Sequence, residues 1–473
     1  MSRSGLAIMM SAWLFLLGLA PVAQAEAPRI QAEAAPRTQA EAAPQARGEA
    51  ATRSLNLKEA LRLAWKANPD LRVSRLEVLI ADQEIVRARS AFLPKVRSEV
   101  NQTMYDLGTL IQVEGGPASG ISFPTTNNNF WTSRVTVDQT VFNFWGNSSR
   151  YQVAILGKVA TSLDTARVRD NIFLLVCQGY FQVLRGEKLV QVAKQEITQL
   201  SDQLYDAQNL YEFGLTTYND VLQAEVALAD AKQRLITAKN DVINAKSALN
   251  KLIGLAIPTP ITLAEESELA APPLNLAAAA DLALEQRSDL KAAVNRIEQG
   301  EKAVTQTRAQ HFPRFYAQAG HFWQQNDAWV HDSQWFAILG AQWNLFTGFD
   351  THAQVQQAKE KVEQLRIKRQ DLSDQVRLDV QDAYLALQET AERIQVTKKA
   401  VAQGEENLRL NRERYQEQVG TATEVVDAST LLTRTRVNYF NARYDHQLAK
   451  AQFLWALGAI NDLLPQGEIS NAP

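Results

Sequence analysis

Two long stretches of the chain carry apolar residues at strict intervals of seven, and each stretch folds back on itself. The first runs from about Asn147 to Leu252 and turns at Phe213–Thr217. Adding 204 to each apolar position gives the second stretch, which turns near Val419. The apolar positions are Val176, Val183, Val190, Ile197, Leu204, Tyr211, Val221, Leu228, Leu235, Val242 and Leu249, then Val380, Leu387, Ile394, Val401, Leu408, Tyr415, Val425, Leu432, Tyr439, His446 and Phe453. Because such spacing defines a coiled-coil seam, the sequence predicts two antiparallel helical hairpins in one register.

The N-terminal residues 1–25 have the features of a secretory signal peptide. Arg3 precedes an apolar run that ends at Ala20, and Ala23 and Ala25 form a small-residue cleavage site. Residues 26–53 are rich in Pro, Ala, Glu and Gln, a composition that buries too little to fold. We therefore expect an exported chain with a disordered tether. No later run of about 18 apolar residues predicts a transmembrane helix, so any membrane crossing must use strands.

The duplication divides the rest of the chain. We assign residues 54–254 to a first structural repeat, 255–273 to a proline-containing linker, 274–460 to a second repeat and 461–473 to a C-terminal tail. In each repeat, short helices and a pair of strands precede the long hairpin. The short helices recur at an offset of 219 and the hairpins at an offset of 204, so the first repeat has 15 additional residues between its strands. Exposed loops tolerate such insertions.

Four segments change from helical periodicity to alternation of apolar and polar residues, which indicates β-strands. They span about residues 96–104, 131–141, 315–323 and 335–345. Each has roughly the 9 to 11 residues that a tilted strand needs to cross a membrane. Tryptophan near strand ends is typical of the membrane interface. The predicted membrane girdle comprises Trp131, Trp323, Trp335 and Trp343. The alternative is a half-buried sheet in a soluble domain.

Four strands are too few to close a membrane barrel, whose smallest common form has about eight. An open sheet edge in lipid would leave backbone groups unpaired. A membrane-embedded sheet therefore requires several copies of the chain. A dimer would give an eight-strand barrel with a filled interior, whereas a trimer would give a hollow 12-strand barrel continuous with a 12-helix tunnel. The predicted fold class is mainly α with a membrane β-barrel.

In these features the sequence resembles the TolC family of outer-membrane efflux proteins. The resemblance covers Leu55 to Ile460. It is carried by the Leu55–Leu57 opening, by Val141-Phe142-Asn143 and Leu345-Phe346-Thr347 before the long helices, and by the turns at 214–224 and 419–428. The resemblance implies a homotrimeric outer-membrane channel that extends into the periplasm. Such a channel serves a tripartite efflux or type I secretion system with a periplasmic adaptor (membrane fusion protein) and an inner-membrane transporter.

Three carboxylates just beyond the turns, Asp220, Glu424 and Asp427, are candidate entrance or gating residues. In a trimer each would form a ring of negative charge, which favours cations and can hold a constriction. The family resemblance implies entrance acids at these positions. Asp220 and Glu424 also stand where an acid caps a helix N-terminus, so gating and capping remain open for both. Asp427 lies too far into the helix to be a cap.

The turns themselves are the predicted adaptor contacts. Small residues allow close backbone approach there, and exposed apolar side chains suit a protein partner. The alternative is that the turns merely close the hairpins. The predicted tip residues are Phe213, Gly214, Leu215, Thr216, Val419, Gly420 and Thr421. Some family members carry an arginine in the second turn, but this chain has none at Thr421–Thr423, which removes one half of an arginine-to-acid latch.

No residue pattern indicates catalysis, a cofactor or a metal site. The five histidines never fall at metal-ligand spacing, and no phosphate loop or nucleophile motif is present. The 49 basic and 52 acidic residues are interspersed, which argues against a nucleic-acid partner. Two other classes remain as alternatives, a periplasmic coiled-coil adaptor and a structural coiled-coil protein of the cell envelope. Alternating strand pairs and hairpins oppose both, and the cargo is not readable from the sequence.

Overall fold

The computed structural model describes residues 53–107, 110–112, 114–117, 119–265, 269–327 and 330–464. The predicted signal peptide lies outside these ranges, as does the predicted tether except for its last residue. Residues 465–473 of the predicted tail also lie outside them.

The secondary structure repeats along the chain. The first half contains β1 (Arg53–Leu55), α1 (Leu57–Ala67), α2 (Pro69–Arg89), β2 (Lys95–Met104), β3 (Leu110–Gln112), β4 (Ser122–Pro124), β5 (Asn129–Phe142), α3 (Gly146–Glu212) and α4 (Tyr218–Leu252). The second half contains β6 (Ile261–Leu263), α5 (Leu276–Gln286), α6 (Ser288–Arg308), β7 (Arg314–Gln324), β8 (Ser333–Gln342), α7 (Asp350–Gln416) and α8 (Ala422–Leu457). Adding 204 to the bounds of α3 gives those of α7, and adding 219 to those of α1 and α2 gives those of α5 and α6.

Local sequence fixes where the short helices begin and end. Asn56 caps α1, because its side chain accepts a hydrogen bond from the Glu59 N–H at 2.8 Å while the Glu59 carboxylate accepts one from the Asn56 N–H at 3.1 Å. Asn68 ends α1 and caps α2 by accepting from the Asp70 N–H at 2.9 Å. Pro69 follows as the first helical residue, where its missing N–H costs nothing. The Asn68-Pro69 pair therefore both ends α1 and begins α2.

The long helices pair into two hairpins, α3 with α4 and α7 with α8, as the heptads predict. Their seam residues are buried or half-buried, with one exception. Tyr211, the last seam residue before the first turn, is 46% exposed. Helices α3 and α7 have 67 residues each and are therefore about 100 Å long at 1.5 Å per residue. Among the described helices, none contains a stretch apolar enough to cross a bilayer.

The largest core lies near the middle of α3. Phe173, Val176 and Tyr180 are fully buried there against Leu249 and Ile253 at the end of the first hairpin. The equivalent cluster in the second half contains Val376, Val380, Phe453 and Leu457. The main cores therefore hold the long helices near their middles, and the hairpin tips lie far from these cores.

The predicted linker does more than connect the two halves. Its residues Ile261–Leu263 form β6, which pairs in parallel with β1, and Ile261 packs into the main core at 2% exposure. The segment between the two repeats therefore contributes both a strand and a core residue, which its prolines do not predict. A strand of three residues has too little periodicity to be distinguished from a loop among prolines.

Four strands form one antiparallel sheet in the order β2-β5-β7-β8. Representative partners are Val100 with Ser133 and His321 with Trp335. The prediction for the last strand was too long, since β8 ends at Gln342 and the apolar residues beyond it belong to the connection to α7. The outer strands β2 and β8 have no partner on their other side within the described residues. Leu339 of β8 is 87% exposed, so this sheet presents an uncovered apolar face.

A left-handed aromatic residue precedes each long helix. Trp145 (φ 65°) stands before α3, and Phe349 (φ 67°) stands at the equivalent place before α7. Positive φ is uncommon for any residue other than glycine, and the two positions differ by 204. The duplication therefore extends to the backbone conformation that turns the chain from sheet to helix.

Candidate functional site

The first hairpin closes through Phe213–Thr217. Gly214 adopts φ +72°, a conformation that glycine adopts without steric cost. The Gly214 N–H donates to the Tyr211 carbonyl at 2.9 Å, and the Leu215 N–H donates to the Leu210 carbonyl at 2.8 Å. These bonds turn Phe213 (78% exposed) and Leu215 (51% exposed) outward. This tip therefore presents apolar side chains to its surroundings.

The second hairpin closes differently. The left-handed residue is Gln418 (φ 60°), which occupies the place of Gly214, while Gly420 has an ordinary backbone conformation. A Cβ atom on Gly420 would lie 3.2 Å from the Arg414 Cβ and from the Glu424 carboxylate. Gly420 thus permits close approach to α7 and α8, whereas Gly214 has no atom within 4 Å of such a Cβ. Val419 is 68% exposed.

Asp220 is held by its own turn. Its carboxylate accepts hydrogen bonds from the Thr216 hydroxyl and from the Thr217 N–H, the latter at 3.4 Å. The side chain therefore performs the carboxylate half of a capping box at the start of α4. Asp220 is half-buried and its direction is set by these two contacts.

Glu424 completes a capping box and an ion pair. Its N–H donates to the Thr421 hydroxyl at 3.3 Å, and its carboxylate accepts from the Thr421 N–H at 3.4 Å. Arg414, in the last turn of α7, lies 3.6 Å from the same carboxylate. No arginine lies at Thr421–Thr423. The basic partner of Glu424 lies instead in the last helical turn of α7.

Asp427 differs from both. It lies in the second turn of α8 and is exposed. No hydrogen bond or ion pair to its carboxylate occurs among the described residues. Its charge is therefore neither used to cap the helix nor neutralised by any of the described residues.

Polar contacts join the two tips. Arg412 of α7 lies 3.3 Å from Asp206 of α3, and the Gln416 side chain donates to the same carboxylate at 3.4 Å. On the other side, the Thr423 hydroxyl donates to the Gln223 side chain at 3.1 Å. These contacts connect each helix of the second tip to the first hairpin.

A small apolar cluster supports these contacts. Tyr415 (4% exposed) packs with Ala422 and Val425 against Leu210 of the first hairpin. Burial raises the pKa of Tyr415 above its ordinary value of 10.0, and the charge of Asp220 acts in the same direction. The two tips thus form one packed unit, with Asp427 on its exposed surface.

Most of the described chain matches a known family. The family model described as outer membrane efflux protein matches residues 60–255 and 279–459. The chain belongs to this family. Its location is therefore the outer membrane, and its class is transport rather than catalysis.

Individual relatives have low sequence identity but similar length. The outer membrane efflux protein BepC of Brucella suis is 23% identical over 413 residues, covering 86% of each chain. The outer membrane protein TolC of Escherichia coli is 21% identical over 426 residues, covering 86% of this chain and 83% of that protein. The crystal structure of VceC from Vibrio cholerae shares the fold with a TM-score of 0.71 and 19% identity, covering 85% of this chain and 96% of that one.

The tryptophans of the predicted girdle lie at both ends of the sheet of this efflux protein. Trp131, Trp323 and Trp335 lie near the end where β5 and β8 begin. Trp343 lies one residue beyond β8 at the opposite end, and its indole N–H donates to the His311 carbonyl at 3.0 Å. Trp131, Trp335 and Trp343 are 45%, 70% and 56% exposed, respectively.

The sequence reasoning missed further aromatic residues at the helix-side end of the sheet. Trp145, Phe346 and Phe349 are 64%, 76% and 75% exposed, and Phe346 contacts Phe349 with ring centres 5.7 Å apart. The signal was present, because an aromatic segment precedes both long helices. Together with Trp343, these residues place exposed aromatic side chains at the helix-side end of the sheet.

Proposed function

We propose that three copies of the chain form a conduit from the periplasm to the cell exterior. The three sheets would close into a 12-strand barrel in the outer membrane, and the helical hairpins would form a 12-helix tunnel in the periplasm. The conduit would receive substrates from an inner-membrane transporter through a periplasmic adaptor, in an efflux or type I secretion system. We also propose the division into a signal peptide, tether, two repeats and tail at the boundaries given above.

The open sheet is the observation that carries this proposal. Strand directions alternate across β2-β5-β7-β8, so β8 of one copy would run antiparallel to β2 of the next. Every residue of β8 is exposed or half-exposed, and nearly all of β2 is exposed. Since unpaired edges are not tolerated in lipid, pairing between copies is the arrangement that permits membrane insertion. Three copies give a hollow interior, whereas two give a filled one.

The hairpin tips are the proposed entrance and docking surface. The exposed side chains of Phe213, Leu215 and Val419 suit contact with an adaptor. Asp427 would contribute the strongest ring of negative charge, because Glu424 is paired with Arg414. Asp220 would contribute a second ring that is oriented by Thr216. The exposed tryptophans of the sheet are the proposed contacts with outer-membrane lipid.

Disulfide trapping between copies tests the assembly. The single natural cysteine, Cys177, is fully buried, so introduced thiols have little background. Cysteines placed together at Val100 in β2 and Leu339 in β8, with neighbouring pairs to cover the register, should give covalent dimers and trimers in outer membranes after oxidation. Each single-cysteine variant is the matched control and should stay monomeric after oxidation, because β2 of one copy meets only β8 of the next. A chain that stays monomeric and outside the membrane fraction would support the adaptor or structural alternative.

A further inference from the structure

A cavity of about 270 Å³ lies between the two hairpins, a few helical turns from the tips. Helix α3 forms one side, and α7 and α8 form the other. On one side it is bordered by the apolar cluster of Leu200, Leu228 and Ala231, and on the other by the cluster around Tyr415. The cavity therefore interrupts the packing between the hairpin tips and the rest of the long helices. It is separate from the acids and turns described above.

Buried polar side chains line this cavity and have unpaired atoms. Gln203 is 2% exposed, and neither its amide nitrogen nor its amide oxygen has a hydrogen-bond partner. Ser429 is 3% exposed and its hydroxyl is also unpaired, as is the side-chain oxygen of Gln199. Buried polar groups are nearly always hydrogen-bonded in native proteins. Three unpaired side chains around one space can bond to an occupant that supplies both donors and acceptors.

The charged residues of the lining are already neutralised. Arg412 lies 3.3 Å from Asp206, Arg436 lies 2.8 Å from Glu405, and Arg409 lies 2.6 Å from Glu406. The rest of the lining is apolar and consists of Leu200, Leu408, Val425 and Leu432. The groups without partners are therefore neutral amides and a hydroxyl, beside an apolar wall. This combination favours an uncharged occupant over an ion.

From this lining we infer that the cavity is a binding site for a small uncharged molecule that carries a hydrogen-bond donor and acceptor next to an apolar ring or chain. A cavity of roughly 150 Å³ holds a benzene ring, so this space accommodates a ring with an amide group. The amide would bond to Gln203 and Ser429, and the ring would contact Leu408 and Leu432. Such a molecule would bridge the first hairpin to the second.

Three probes of similar shape test the chemistry. Benzamide offers the amide and the ring, benzoate replaces the amide by a charge, and toluene has the ring alone. Ligand-observed NMR with the full-length protein in detergent, with empty micelles as reference, should show benzamide binding at least tenfold tighter than benzoate or toluene. Gln203→Leu removes the amide donor and acceptor at similar side-chain size and should weaken benzamide binding at least tenfold. Gln233→Leu, at an exposed glutamine of α4, is the matched control and should leave binding unchanged.

A second variant and a crystal soak complete the test. Ser429→Ala removes only the hydroxyl and should weaken benzamide binding several-fold, which keeps the test decisive if Gln203→Leu fails to fold. Equal affinity of wild type and both variants, or a cavity that retains only ordered water in crystals soaked with benzamide, would overturn the inference. The site lies within one chain, so these results are independent of trimer formation and of efflux.

Discussion

The two hairpin tips descend from one duplicated unit, yet they are built in opposite ways. The last seam tyrosine of the first tip, Tyr211, is 46% exposed, whereas its counterpart Tyr415 is 4% exposed. The first tip turns its aromatic residues outward, and Tyr211 contacts Tyr218 with ring centres 5.4 Å apart on the surface. The second tip buries its tyrosine and ties its first helix to α3 through Arg412. The first tip thus forms an exposed apolar platform of aromatic side chains, whereas the second tip buries its tyrosine against the first hairpin.

The difference in packing between the tips separates two roles, docking of a partner and movement of the entrance, which the sequence assigned to both tips together. An exposed apolar platform suits docking of a partner, whereas a packed tip held by ion pairs suits a part that changes position. Substitutions at the first tip should therefore mainly affect docking, and substitutions at the second tip should mainly affect its packing. Four predictions test this division, in order of decreasing effect.

Gly214→Glu should abolish efflux, whereas Gly420→Glu should reduce it only partly. Gly214 needs φ +72°, which costs other residues about 1–2 kcal/mol, and the new charge would lie on the apolar platform. The measurement is drug resistance of a deletion strain carrying each variant, with trimer levels checked in outer membranes. Gly214→Asn tolerates positive φ without charge and should retain most resistance. Equal losses at Gly214 and Gly420 would contradict the assignment of docking to the first tip.

Tyr415→Ala should loosen the second tip, and Tyr211→Ala should not. Removing a buried aromatic side chain costs about 3 kcal/mol or more, while an exposed one costs within about 0.5 kcal/mol. Hydrogen exchange of peptides covering 404–430 measures the opening free energy of the tip. Faster exchange is expected only for Tyr415→Ala. Similar exchange in both variants would show that the two tips do not differ in packing.

Asp427→Gln should lower the cation preference of the channel by roughly twofold or more, because it removes an exposed carboxylate that none of the described residues neutralises and that three copies would place in a ring. Glutamine is the residue at the equivalent place of the first tip, Gln223. Planar-bilayer measurements of reversal potential and divalent-cation block give the result. Glu424→Gln is the comparison and should change selectivity less, since Arg414 already balances that charge. Unchanged selectivity in Asp427→Gln would exclude it from the entrance.

High pH should weaken the second tip slightly. The folded-state pKa of Tyr415 is raised by burial, so its neutral form favours the packed tip. That contribution is complete below the ordinary pKa of 10.0 and is lost as pH rises through the raised value. Hydrogen exchange of the 404–430 peptides, corrected for intrinsic rates, should show faster opening as the pH rises above 10. Tyr415→Phe should remove this pH dependence, while Tyr211→Phe should keep it.

Local patterns made most of the fold predictable. The seven-residue repeats predict the hairpins, alternation of apolar and polar residues predicts the sheet, and the Asn68-Pro69 pair marks a helix boundary. Each of these signals depends only on neighbouring residues along the chain. The left-handed Gln418 was not predictable, since only glycine signals that conformation reliably. The strand β6 was missed because three residues carry no periodicity.

The candidate site was predictable only in outline. The sequence places Asp220, Glu424 and Asp427 after the turns, but their partners depend on how the hairpins rotate against each other. Arg412 meets Asp206 across 206 residues of sequence, and no pattern along the chain specifies that contact. The cavity at Gln203 has the same origin, because heptad positions alone do not indicate which polar residues face it.

The left-handed residues Trp145 and Phe349 fix the direction in which each long helix leaves the sheet. A helix of 67 residues extends about 100 Å from that point, so a rotation of about five degrees there displaces its far end by about 9 Å. A fixed backbone angle at these two residues therefore limits the sideways movement of both hairpin tips. The direction of each long helix toward the periplasmic end is therefore set where the chain leaves the strands.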